Sequence, residues 1–220
     1  MLPWNNIETV LLDMDGTLLD LNFDNHFWQE FVPCRYAEKH GISAVTARSQ
    51  LEPRFKAMEG TLEWYCLDYW SNDLQLDIAG LKVELAGLIV IMPHVTDFLL
   101  KLRQSQSARK LLLVTNAHRD SLGLKMEKTC LHAYFDEIIS SHDFGAPKEH
   151  VEFWRKLQQR FTFQPEKSLL VDDSLSVLSS ARQFGIQYLV TISQPDSTRE
   201  KRNVLEYPAI ADFRELMPGL

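Results

Sequence analysis

Thr9-Val10-Leu11-Leu12-Asp13-Met14-Asp15-Gly16-Thr17 is the stretch on which the reading of the chain turns. Its first four residues are short, apolar and open with two β-branched side chains. No polar position alternates with them, which predicts a strand covered on both faces, as in a parallel sheet. The chain then changes character at once, to two aspartates and a Gly-Thr turn signal. Working outward, similar runs recur. Leu111-Leu112-Leu113-Val114 ends at Thr115-Asn116, and Glu137-Ile138-Ile139-Ser140 ends at Ser141-His142. Leu169-Leu170-Val171 ends at Asp172-Asp173-Ser174, and Tyr188-Leu189-Val190-Thr191 is the last run. Helix-period sequence separates them over 95–103, 150–159 and 175–184, with Gly185 placed to end the last helix. Strands alternating with helices predict an α/β fold, a Rossmann-like parallel sheet with helices on both faces.

One segment interrupts the alternation. Helical stretches are expected over about 23–40, 44–59, 61–76 and 78–88, with Pro33 and Pro53 kinking or interrupting two of them. They are rich in aromatic residues. This predicts a mainly α-helical domain over 21–89, inserted into a core formed by 1–20 and 90–220. Met92-Pro93-His94 marks the return to the core. The tail from Ser193 reads as loop with one short helix near 209–216.

Composition narrows the function. The 23 Lys+Arg against 30 Asp+Glu give a net charge of −7, so a role coating nucleic acid is disfavoured by repulsion from the phosphate backbone. One small phosphorylated ligand is compatible with that charge. The longest apolar run, Ala86 to Met92, is far short of the roughly 20 residues of a membrane span. The start MLPWNNIETV lacks a basic segment followed by an apolar core, so no signal peptide is expected. Cys34, Cys66 and Cys130 form no paired spacing, and the seven histidines no H-E-x-x-H, so the thiols read as idle groups in a reducing cytoplasm. A monomer is the plain expectation.

In an open parallel sheet the ligand lies at the carboxyl ends of the strands. The polar residues there are Asp13 and Asp15, Thr115 and Asn116, Asp172 and Asp173, with Lys148 after the third strand. Four carboxylates together would raise one another's pKa unless a cation relieved them. With no Cys or His in the set, a hard ion such as Mg²⁺ fits better than zinc or copper. Lys148 would offset further charge and hold a bound phosphate. Thr115 and Asn116 could donate to a phosphate oxygen or hold the loop. Asp13 and Asp15, two apart, suit a nucleophile beside a general acid/base.

These motifs resemble the haloacid dehalogenase-like hydrolase superfamily over the whole chain. The first is Val10 to Thr17, the second Leu112-Leu113-Val114-Thr115-Asn116, the third Lys148 and the fourth Asp172-Asp173. The resemblance implies that Asp13 is phosphorylated and that Asp15 is the acid/base. It implies Mg²⁺ held by Asp13, the Asp15 carbonyl and Asp173, with Asp172 nearby or also coordinating. Two departures stand out: Pro147 precedes the lysine, where many relatives have Lys-Pro, and Val177 stands where many carry another acid. The insert takes the position of a C1 cap. Its Leu21 to Trp28 and Trp64 to Trp70, together with Asn116-Ala117-His118, Phe144-Gly145-Ala146-Pro147-Lys148-Glu149 and Gln194-Pro195-Asp196-Ser197, resemble the bacterial GMP/IMP 5′-nucleotidases. That implies hydrolysis of a purine 5′-monophosphate. A sugar-phosphate phosphatase, a phosphomutase and a non-catalytic scaffold are the alternatives.

Within the insert, Trp64 and Tyr65 are candidates to face the substrate, while Trp28, Phe31, Phe55 and Trp70 read as its own core. Asp24 and Asn25 would touch sugar or base, or cap a helix. His118 would approach the leaving group, or meet the insert. Lys82, Lys101, Lys110, Lys125, Lys128, Arg199, Lys201 and Arg202 read as solvated charges.

Overall fold

The computed structural model describes residues 2–105 and 109–220. Strand β1 (Thr9–Leu12) is buried along its whole length. Among the described residues six α-helices precede the next strand, the first five being α1 (Asn22–His26), α2 (Val32–His40), α3 (Ala44–Met58), α4 (Leu67–Leu74) and α5 (Ile78–Glu84). The chain then alternates through α6 (Val95–Gln104), β2 (Lys110–Thr115), α7 (Arg119–Thr129), β3 (Glu137–Ser140), α8 (Val151–Arg160), β4 (Ser168–Val171), α9 (Leu175–Phe184), β5 (Tyr188–Ile192) and β6 (Ala209–Ile210). The sheet is parallel throughout, in the order β3-β2-β1-β4-β5-β6. The chain runs outward from β1 in both directions, so the order reverses between β1 and β4, and a crevice opens there at the strand ends.

Two-residue periodicity splits the strand side chains between two cores. Val10, Leu12, Leu111, Leu113, Leu169 and Val171 pack on one face with α6 and α7. Leu11, Leu112, Val114 and Leu170 pack on the other with Trp154 of α8 and Leu178 of α9. The inserted helices carry a third cluster of their own, including Phe27, Leu51, Leu67, Trp70 and Ile78. Ser43, Cys66 and Asp77 cap the amino ends of α3, α4 and α5. Gly41 ends α2 with φ +63°, a conformation that costs glycine little.

The structure corrects several expected elements. The stretch 61–76 is a 3₁₀ turn (Glu63–Tyr65) followed by α4, because Cys66 is extended and restarts the helix as its cap. Residues 78–88 split in the same way, at Leu85. Ala209–Ile210 pairs with β5 as a sixth strand, and only Phe213–Leu216 is helical. Pro53 lies inside an unbroken α3, whereas the expected helix over 23–40 is divided into α1 and α2 just ahead of Pro33. A wider π turn over Phe27–Phe31 precedes it, which relieves the clash between its ring and the carbonyl four residues back. Among the described residues no helix is long and apolar enough to cross a membrane.

Candidate active site

Asp13 is the first residue past β1, and its backbone N–H still donates to the Val171 carbonyl of β4 at 3.0 Å. That hydrogen bond plants its side chain in the crevice. Lys148 enters from the loop after β3. Its Nζ donates to Asp13 Oδ1 at 2.5 Å, to Asp172 Oδ2 at 2.7 Å and to the Val114 carbonyl at 3.0 Å. An ammonium has three donors, so all are used within the chain. Lys148 therefore grips the cluster at the place where a phosphate would be bound.

The two adjacent acids after β4 are used differently. Asp172 Oδ2 accepts from Lys148, and its Oδ1 accepts from the Ser174 N–H at 2.9 Å. The Asp173 carboxylate has no hydrogen-bond donor among the described residues, although Arg202 donates to its backbone carbonyl at 2.9 Å. Carboxylate oxygens of Asp13, Asp172 and Asp173 lie within 4.8 Å of one another. Burial, then Lys148 acting against it and Asp172 adding to it, leaves the Asp13 carboxyl raised to about 6. Burial, Asp172 and Asp13 push Asp173 well above the usual carboxylate range. Gly16 is pinned here for a steric reason. Its φ is +79°, and a Cβ would lie 2.8 Å from the Asp173 carboxylate.

Thr115 ends β2. Its Oγ1 accepts from the Ala117 N–H at 3.0 Å, which leaves the hydroxyl proton free to donate into the crevice. Asn116 is spent on the loop that carries Lys148. Its Oδ1 accepts from the Lys148 N–H at 2.9 Å, and its Nδ2 donates to Glu149 Oε2 at 2.9 Å. Of the two uses open to Asn116 in the sequence, the structure places it in the one that holds the loop.

Asp15 belongs to a second cluster. Lys125 Nζ, from α7, donates to Asp15 Oδ1 and to Asp24 Oδ2, each at 2.6 Å. Lys82, from α5, donates to Asp24 Oδ1 at 2.6 Å. Lys82 and Lys125 are 2% and 1% exposed, so their reading as solvated charges is overturned. Burial opposes the charge on Asp24, but Lys125 and Lys82 together hold its carboxyl well below the usual range. Asp24 consequently has both oxygens occupied and caps no helix; Asp20 accepts from the Asn22 N–H instead. Asp15 is raised to about 6, by burial first, with Lys125 opposing and Asp24 and Asp13 reinforcing.

A cavity of about 330 Å³ lies between the strand ends and the inserted helices, a size at the small end of ligand pockets. Asp13, Asp15, Thr115 and Asp173 line its floor, and Trp64 and Tyr65 are in its wall. Trp28, expected in the core of the insert, also lines the cavity, stacked on Trp64 with centroids 6.4 Å apart. Tyr65 Oη donates to Glu149 Oε1 at 2.6 Å and so ties the insert to the loop carrying Lys148. Asn25 lines the cavity too, with its amide donating to Asp196 Oδ2 at 2.6 Å. His118 contacts the insert through Asp68, at 3.6 Å. Glu149, Lys82 and Lys125 are the members of the site that the sequence analysis missed. The available signal was the position of Glu149 beside Lys148; Lys82 and Lys125 lie within helices α5 and α7 and carried none.

Comparison with known proteins agrees with this geometry. Residues 7–185 match the family model described as haloacid dehalogenase-like hydrolase. The chain is 40% identical over 219 residues to a protein of Escherichia coli (strain K12) named GMP/IMP nucleotidase YrfG, covering all of this chain and 98% of that one. A crystal structure described as an HAD phosphatase from Thermococcus onnurineus superposes with a TM-score of 0.79 at 25% identity, over 96% of this chain and 97% of that one. An L-2-haloacid dehalogenase from Xanthobacter autotrophicus shares the fold, with a TM-score of 0.65 at 16% identity over 96% and 97% of the two chains.

Proposed function

Because the chain belongs to the haloacid dehalogenase-like hydrolase family, we propose that it hydrolyses purine 5′-mononucleotides, GMP and IMP, to nucleoside and phosphate. The observation that carries the chemistry is the pair of carboxyls, Asp13 and Asp15, held by separate lysines on the floor of one cavity. The full-length likeness to a GMP/IMP nucleotidase supports the substrate. In the first step Asp13 attacks phosphorus and the bond from phosphorus to the 5′-oxygen breaks. Lys148 fixes Oδ1, which leaves Oδ2 as the attacking oxygen. Asp15 gives its proton to the departing 5′-oxygen. Asp15 then takes a proton from water, the water oxygen attacks phosphorus, and the bond to Asp13 breaks to release phosphate. A carboxyl poised near 6 suits a group that must both give and take a proton near neutral pH. The Thr115 hydroxyl donates to a phosphoryl oxygen throughout.

The residues fit Mg²⁺. Their donors are all oxygens, the Asp173 carboxylate has no hydrogen-bond donor among the described residues, and burial, with neighbouring acids adding to it, raises both Asp13 and Asp173. Asp13, Asp173 and the Asp15 carbonyl would hold the ion, which when bound neutralises charge on the phosphoryl oxygens. Asp172 would serve as the anchor of Lys148. Residues 21–89 would act as a cap over the core of 1–20 and 90–220, with the base against Trp28, Trp64 and Tyr65. Three reduced cysteines suit a cytoplasmic protein.

The test is phosphate release with Mg²⁺ from a panel holding GMP, IMP, AMP, UMP, CMP, glucose 1- and 6-phosphates and phosphoglycolate. GMP and IMP should lead, and Asp13→Asn should lose nearly all turnover with its fold intact. If a sugar phosphate led instead, the purine assignment would fall. If purified Asp13→Asn kept substantial activity, the nucleophile assignment would fall.

A further inference from the structure

One group of reactive side chains at the seam between insert and core plays no part in the chemistry above. Cys66 caps α4 in the insert, its Sγ accepting the Tyr69 N–H at 3.4 Å. His118 caps α7 in the core, its Nδ1 accepting the Asp120 N–H at 3.4 Å. His142 sits in the turn after β3. The sulfur and one nitrogen from each ring lie within 4.8 Å of one another, and the two rings meet edge-on with centroids 5.1 Å apart.

Two details make this more than a chance approach. His142 Nε2 is buried with no hydrogen-bond partner among the described residues, which is uncommon for a polar atom and calls for a cause. With no hydrogen-bond partner competing for it, Nε2 is the ring nitrogen left free to take a ligand at the seam. Burial and the neighbouring His118 ring hold the His142 imidazole below its ordinary pKa, in the neutral form a ligand needs. The contacts of His118 with Asp68 and Asp120 carboxylates, 3.6 and 3.5 Å, are longer than good hydrogen bonds and easily exchanged.

We propose that Cys66, His118 and His142 bind a divalent ion of the Zn²⁺ class and thereby join the insert to the core. One sulfur and two nitrogens, with water in the fourth position, make a donor set that suits tetrahedral zinc. The cluster of Asp13 and Asp173 offers oxygen alone, so hard and borderline ions sort between the two sites. On binding, the Cys66 thiol releases its proton to solvent. Cys66 follows directly on Tyr65 in the cavity wall, and His118 lines the same cavity. An ion bridging them would resist separation of the insert from the strand ends, so Zn²⁺ would slow turnover. That consequence rests on the reading of the insert as a cap; the binding does not.

Co²⁺ is the probe, added to the full chain in saturating Mg²⁺. A thiolate-to-cobalt charge-transfer band should appear at one ion per chain and be displaced by Zn²⁺. It should vanish in Cys66→Ser, which keeps a capping oxygen on α4, and need at least tenfold more Co²⁺ in His142→Gln. It should persist in Asp173→Asn, Cys34→Ser and Cys130→Ser. Absence of the band in the unmutated protein, or its survival in Cys66→Ser, would overturn the site whatever the variants do to folding. In the kinetic arm, Zn²⁺ should slow phosphate release by the unmutated enzyme and leave Cys66→Ser unaffected. Equal inhibition of both would place the inhibiting ion at the carboxylate cluster and overturn the coupling. A chain without phosphatase activity that still gave the band would sink the proposed function and leave the site standing.

Discussion

Two buried lysines at the strand ends each hold two carboxylates, and the clusters around them differ in charge. Lys125 and Lys82 face Asp15 and Asp24, two positive groups against two negative. Lys148 alone faces Asp13, Asp172 and the neighbouring Asp173. The first set is balanced within the chain. The second is short of positive charge: burial raises its carboxyls as it raises Asp15 in the first set, but here one lysine faces three acids. That deficit in charge, and not the burial common to both sets, marks where a divalent cation is wanted. The clusters also differ in reach. The Lys148 cluster joins strand ends of the core to one another, whereas Lys125 links the core to α1 and, through Asp24 and Lys82, to α5.

Removing Lys148 should have the largest effect. Lys148→Met leaves the buried Asp13 and Asp172 carboxylates, beside the half-buried Asp173, without their lysine. Breaking a buried pair by deleting one partner costs on the order of 3–5 kcal/mol, so the denaturant midpoint should fall clearly in the absence of Mg²⁺. Turnover should drop by at least about a thousandfold, because Asp13 loses both its orientation and its counter-charge. Added Mg²⁺ should restore part of the stability and little of the rate. A variant within tenfold of the parent rate would show that another group orients Asp13.

Lys125→Met is expected to be milder. Lys82 still compensates Asp24, so the fold should survive with a smaller loss of stability. Asp15 loses the partner that fixes it, and turnover should fall about a hundredfold with KM little changed, the scale of a displaced general acid/base. Steady-state kinetics on GMP separates the two parameters. A change confined to KM would make Lys125 a support of the pocket wall and not of Asp15.

The unequal legibility of these lysines has a physical basis. Lys148 follows a strand end in a parallel sheet, and chain topology brings strand ends together however far apart they are in sequence. The same reasoning made Asp13, Thr115 and the Asp172-Asp173 pair visible, along with the five longer strands. Lys125 and Lys82 lie inside helices, where a lysine is ordinarily a solvated residue. Only the packing of the insert against α7 buries them, and no periodicity in the chain announces that contact. The break at Cys66 was hidden for a related reason. It depends on a weak sulfur cap at one residue within an otherwise helical pattern. The two-residue strand β6 is shorter than any run that alternation can detect, and it exists because β5 offers it an edge.

The smallest expected effect bears most directly on the charge deficit. Protons and Mg²⁺ compete for the same carboxylates in the Lys148 cluster. Asp13 is raised to about 6 and Asp173 further above the usual range, so below that pH the cation must displace a proton to bind. Because these folded-state pKa values lie above the unfolded value, protonation stabilises the metal-free chain as pH falls, and binding weakens over the same window. The apparent Mg²⁺ affinity should therefore drop about tenfold for each unit below pH 6, for each proton displaced. Calorimetric titrations at pH 5, 6 and 7, in buffers of different ionisation heat, give both the affinity and the protons released. The slope should be the same in Lys125→Met, since the balanced cluster takes no part. An affinity that stayed flat from pH 7 to 5 would mean that the cluster holds no excess of negative charge, and the contrast between the two lysines would lose its meaning.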